Sequence, residues 1–77
     1  MSGSRFLGKD QVEAIVFGDL KKRYPKMEKF EFARVILYET FKEWWVMGLF
    51  SFEGKVRGFI YRLNGETGEI KSYEIVF

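Results

Sequence analysis

The groups in this sequence able to move protons or form covalent bonds are few: Asp10, Asp19, nine glutamates, four tyrosines, and serines such as Ser51 and Ser72. Histidine and cysteine are both absent. That removes the commonest general base and metal ligand, and with them thiolate nucleophiles, disulfides, thiolate zinc sites and iron–sulfur clusters. Ser51 and Ser72 lack any histidine to activate them, and a lysine base needs a burial that no motif here supplies. Asp10 is placed to cap a helix, Asp19 lies on its surface, and the glutamates show no paired spacing suited to acid–base chemistry. Nor does any run of carboxylates have the spacing of an EF-hand, or any run of glycines that of a phosphate loop. These absences predict a protein that is not an enzyme and carries no metal or cofactor.

What remains is aromatic and basic. Trp44 and Trp45 are adjacent, so on a strand they point to opposite faces, one toward a core and one toward an interface. Phe50, Arg57, Phe59 and Tyr61 have the character of sheet-face groups that stack bases in single-strand binders. Lys55, Arg57, Arg62 and Lys71 form the one basic cluster worth naming, and Glu53, Glu69 and Glu74 are close enough to neutralise much of it. The whole chain has 13 Lys plus Arg against 11 Asp plus Glu, a net charge of +2. That surplus is too small to argue for nucleic acid by itself.

The elements that position these residues are legible from hydrophobic period. From Asp10 to Tyr24 the apolar residues Val12, Ile15, Val16, Leu20 and Tyr24 recur at helical spacing, widened by Phe17. Asp10 with Glu13 reads as an N-cap and its capping-box partner, and Lys21, Lys22 and Arg23 suit the negative end of the helix dipole. Pro25 ends the helix. After it the pattern is β: strands over 30–39, 44–52, 55–63 and 69–77, with a short break at 40–43, a tight Glu53-Gly54 turn and a further turn at 64–68. The fold class expected is α+β, one N-terminal helix packed on a three- to four-stranded antiparallel meander, with 1–77 a single domain and 1–6 a flexible tail.

The Glu53-Gly54 turn fixes a register. It pairs Phe52 with Lys55, Phe50 with Arg57, Gly48 with Phe59, Val46 with Tyr61 and Trp44 with Leu63 on one face. Trp45 with Arg62, Met47 with Ile60, Leu49 with Gly58 and Ser51 with Val56 share the other. Both faces are apolar, yet a helix of about fifteen residues is ~22 Å long and roofs only one. Something must cover the second face: a second copy of the chain, a partner protein, a ligand, or curling of the sheet upon itself, of which a second copy is the commonest for a small soluble protein. The expected partner or dimer face is Trp44, Val46, Phe50, Phe52, Arg57, Phe59 and Tyr61. The alternative is a single-stranded nucleic acid held by Phe50, Phe59, Tyr61 and the nearby Arg and Lys.

The last hairpin, Tyr61-Arg62-Leu63-Asn64-Gly65-Glu66-Thr67-Gly68-Glu69-Ile70, resembles the ending of PepSY domains. There an apolar strand meets Asp or Asn, two variable residues, Thr-Gly and another apolar strand. The helix opening Lys9-Asp10-Gln11-Val12-Glu13-Ala14 and the aromatic-led strand with Trp44 and Val46 fit as well, so the likeness runs from about Leu7 to Ile75. The Trp-Trp pair departs from the family pattern. The resemblance implies a cystatin-like sheet wrapping a helix and a binding role, protein interaction or self-association, and it assigns no inhibitory residue. The N-terminus, Met1-Ser2-Gly3-Ser4-Arg5, has no apolar run behind it, and the longest apolar stretch (44–52) is well short of the ~20 residues of a membrane-spanning helix. A cytoplasmic protein is expected. One Asn (Asn64), one Gln (Gln11) and abundant Lys and Glu have the flavour of a heat-loving source.

Overall fold

The computed structural model describes residues 5–76. It contains one helix, α1 (Lys9–Arg23), and four strands: β1 (Glu28–Tyr38), β2 (Glu43–Phe52), β3 (Lys55–Asn64) and β4 (Ile70–Val76). The strands form an antiparallel meander in the order β1-β2-β3-β4, an open sheet with β1 and β4 at its edges. The expected α+β class is observed, and of the three or four strands expected the sheet has four.

The helix begins earlier than Asp10. Gly8 occupies the N-cap position, and its N–H donates to Oε1 of Gln11 at 2.8 Å. Asp10 is therefore inside the first turn, where its charge still meets the positive end of the dipole, and Gln11 rather than Glu13 reaches back to the cap. Arg23 ends the helix and Tyr24 closes it, its N–H donating to the Leu20 carbonyl at 2.7 Å. This is the stop that Pro25 imposes.

The β2–β3 hairpin has the register read from its turn, pair for pair from Trp44–Leu63 to Phe52–Lys55. Glu53 and Gly54 both have positive φ (56° and 77°), as a two-residue turn matched to strand twist requires. β1 is less regular. Its pairing with β2 slips between Glu28 and Glu31 and again between Phe32 and Arg34, and Lys29 has φ 51°. Such bulges bend an edge strand and blunt it against further pairing.

The core lies between α1 and the middle of the sheet. Val12, Val16 and Leu20 of the helix are fully buried against Trp44, Val46, Phe50, Phe59, Tyr61 and Leu63. Around them the aromatic rings form a continuous cluster: Phe30 stacks on Phe59 at 5.2 Å, and Tyr24 meets Phe50 at 5.2 Å and Phe52 at 5.0 Å. Gly48 makes room for this. A Cβ there would lie 2.5 Å from Cζ of Phe59 and also meet the Glu31 carbonyl oxygen. The chain ahead of the helix is pinned too, with the Leu7 N–H donating to the Gly65 carbonyl at 2.8 Å and Trp44 Nε1 donating to the Leu7 carbonyl at 3.0 Å. Phe6, expected in a flexible tail, is half-buried beside Gly65. Arg5 of that expected tail is exposed, and its residues 1–4, with Phe77 at the expected end of the last strand, lie outside the described residues.

Candidate functional site: the open face of the sheet

Helix α1 covers the face that carries Trp44, Val46, Phe50, Phe52, Arg57, Phe59 and Tyr61. Trp44, Val46, Phe50, Phe59 and Tyr61 are each 8% exposed or less in the single chain, and Phe52 and Arg57 are half-buried. The expected partner face is thus largely the chain's own core, and Phe50, Phe59 and Tyr61 offer no surface on which a base could stack. The physical reason is volume. This face holds the bulkier rings, and the helix buries the side that removes most apolar area from water.

The open face is the other one. Arg34, Ile36 and Tyr38 of β1 lie on it, followed by Glu43, Trp45, Met47, Leu49 and Ser51 of β2. Val56, Gly58, Ile60 and Arg62 of β3 continue it, with Ser72, Glu74 and Val76 of β4 at the far edge. Leu49 is 40% exposed, Val56 68% and Val76 46%, while Ile36, Met47 and Ile60 are half-buried only by their neighbours in the sheet. Trp44 and Trp45 divide as adjacent strand residues must, Trp44 inward and Trp45 onto this face.

One end of the open face is closed by a polar cluster around Glu43, 5% exposed. Lys71 Nζ donates to its Oε2 at 2.8 Å, Trp45 Nε1 to its Oε1 at 3.0 Å, and Arg62 Nη2 to both oxygens at 3.1 and 3.2 Å. The Lys71 bond first, then the Trp45 and Arg62 bonds, hold the Glu43 carboxyl at about 2, against a burial that favours the neutral form. Tyr38 meets the Trp45 ring edge-on at 5.1 Å, and the Arg62 guanidinium lies 5.4 Å over it. The cluster caps one end of the face and leaves the apolar stripe beyond it open.

The expected basic cluster divides between two places. Arg62 and Lys71 converge on Glu43. Arg57 pairs with Phe50 on the helix side, and Lys55 lies at the far end of β3, seven positions from Arg62, or roughly 23 Å along the strand. For Arg62 and Lys71 the neutralising group is Glu43, rather than the expected Glu53, Glu69 or Glu74. The hairpin register carried the clue: one pair beyond Trp44–Leu63, Glu43 falls on the Arg62 face.

A second group of polar residues joins α1 to the sheet. Asp19 accepts from the Tyr61 hydroxyl at 2.6 Å and from Arg23 Nε at 2.7 Å, and Arg23 Nη1 donates to the Tyr73 hydroxyl at 2.7 Å. Burial, then the bond to Asp19, pushes the Tyr61 phenol well above its ordinary value. Burial opposes ionisation of Asp19, but the Tyr61 and Arg23 bonds outweigh it and hold the carboxyl low. A phenol that holds its proton harder than usual beside a carboxylate that rarely takes one is a tie, ill suited to proton transfer near neutrality. Beside it, Ala14, Ile15, Gly18, Asp19, Lys22 and Ile70 line a groove of about 310 Å³ between helix and β4.

Among the described residues no three carboxylates converge to hold a metal ion, and no helix is long and apolar enough to cross a membrane. No protein-family model, curated protein or solved structure matches the chain.

Proposed function

We propose that this chain is a small interaction module that self-associates through the open face of its sheet. The observation that carries this reading is the unroofed stripe of Ile36, Met47, Leu49, Val56, Ile60 and Val76, which lies opposite the helix. Strands of 11, 10, 10 and 7 residues, spaced ~4.8 Å apart, give this face a flat footprint of roughly 600 Å² before side-chain relief is added. That whole-face footprint, charged and polar residues included, approaches the ~800 Å² each partner buries in a standard interface. A second copy is the partner always present at matching concentration.

The binding role that a PepSY resemblance implies agrees with this reading. The turn that carries the resemblance is well formed, with Asn64 Oδ1 accepting from the N–H groups of Glu66 and Thr67 at 2.8 and 3.0 Å and Gly68 at φ 81°. These features support the hairpin, and the family reading rests on the same residues.

Sedimentation over a range of concentrations tests the proposal. The wild-type chain is expected to reach twice its 9.2 kDa mass, and Ile60→Lys, which places a charge mid-stripe, to remain monomeric with its fold intact. A wild-type chain that stays monomeric at millimolar concentration refutes it. A parallel titration with single-stranded DNA at two salt concentrations is expected to show no steeply salt-dependent binding.

A further inference from the structure

The open face has a charge pattern that specifies how a second copy docks, an inference that rests on the self-association proposed above. Pairing across the sheet defines rows on this face. One row runs Arg34, Met47, Ile60, Glu74, with a cation at the β1 edge, two apolar residues in the middle and an anion at the β4 edge. Both end residues are exposed, and among the described residues neither side chain has an ion-pair or hydrogen-bond partner. The flanking rows read Ile36, Trp45, Arg62, Ser72 on one side and Glu31, Leu49, Gly58, Val76 on the other.

Two sheets packed face to face by a two-fold axis must have that axis in the plane between them. If it runs across the strands, one edge of each sheet lies over its own copy, so cation edge meets cation edge. If it runs along the strands, between β2 and β3, each β1 lies over the partner's β4 and each row stays over the same row. The central row is then complementary from edge to edge, while in the flanking row Glu31 lies over the partner subunit's Val76. Arg34 faces an anion at both ends of the dimer, and Met47 lies over the partner subunit's Ile60. Leu49, 40% exposed, stands over the gap at the partner subunit's Gly58. Because this axis permits no slide along the strands, no adjustment of register is needed to bring the charges together.

We infer that two copies pack open face to open face about a two-fold axis parallel to the strands, with Arg34 of each copy paired to Glu74 of the partner subunit. Sheets about 10 Å apart leave room for these two long side chains to meet at the rim. The pair selects the orientation, while the apolar rows supply the attraction.

Charge reversal tests the geometry directly. In Arg34→Glu both rims of a homodimer oppose two anions, and in Glu74→Arg two cations, so each variant is expected to self-associate about tenfold or more weakly than wild type. Mixed together, the two variants regain opposite charges at both rims and are expected to form a heterodimer, seen by native mass spectrometry. The double variant Arg34→Glu/Glu74→Arg is expected to homodimerise like wild type. A wild-type dimer in which Arg34→Glu weakens association but Glu74→Arg does not, or in which the mixture forms no heterodimer, overturns this geometry and leaves self-association standing. A monomeric wild type overturns both. Both positions are exposed, and circular dichroism verifies that each variant is folded.

Discussion

Glu43 is an anion almost fully enclosed at one end of the open face, and its three donors explain why it stays charged. Its carboxyl ionises at about 2 in the folded chain, against the usual carboxylate range near 4.5. A carboxylate depressed by folding stabilises the fold above its ordinary value, and that contribution disappears as pH falls toward the folded value. Stability measured by urea unfolding is therefore expected to decline between about pH 5 and pH 2. Glu43→Gln is expected to be less stable at pH 7 and to show a shallower decline across that window; an unchanged slope would count against the network. Asp19, also held low, leaves a residual slope. Tyr61→Phe removes the 2.6 Å bond to Asp19 while keeping the buried ring, and is expected to cost about 1–2 kcal/mol. None of these roles is visible in residue types alone. Asp19 reads as a surface residue until the helix is docked, and Glu43 as one of many glutamates until the register places it beside Arg62.

At the level of elements, much was legible where local chemistry decides the outcome. The Glu53-Gly54 turn fixes the hairpin because a two-residue loop permits one pairing, and every pair that follows from it is present. The helix stop at Pro25 was equally local. The helix start was not, because Gly8 caps through its backbone with help from Gln11, whereas Asp10 has the residue type that usually takes that position. The choice of face was the larger gap, since alternation shows that two faces exist and only comparison of ring volumes shows which one the helix roofs. Two substitutions test this level. Glu53 has φ 56°, a conformation asparagine adopts more readily, so Glu53→Asn is expected to stabilise the chain by about 0.5–1 kcal/mol in thermal unfolding. Gly48→Ala drives a methyl into the Phe59 ring and is expected to destabilise by about 1–3 kcal/mol. A neutral result there would show that both the ring and the Glu31 backbone can move aside.

For the molecule as a whole, the division of labour between the two faces sets how stability responds to concentration. The helix-side core is complete within one chain, so a monomer can fold; the open face lies uncovered in that single chain. Association that favours the folded state adds to stability by mass action, so the midpoint of thermal unfolding is expected to rise with protein concentration. Ile60→Lys is expected to abolish that rise while leaving the dilute-solution midpoint within a few degrees of wild type, because Ile60 contributes little to the helix-side core. Ionic strength separates the two sources of attraction. Rim charges are screened with a Debye length of ~10 Å at 0.1 M, whereas apolar burial is not. Raising salt from about 0.05 to 0.5 M is therefore expected to weaken dimerisation only a few-fold. A loss of several decades, of the kind that phosphate-backbone contacts produce, would mean that charge rather than the apolar stripe holds the partner.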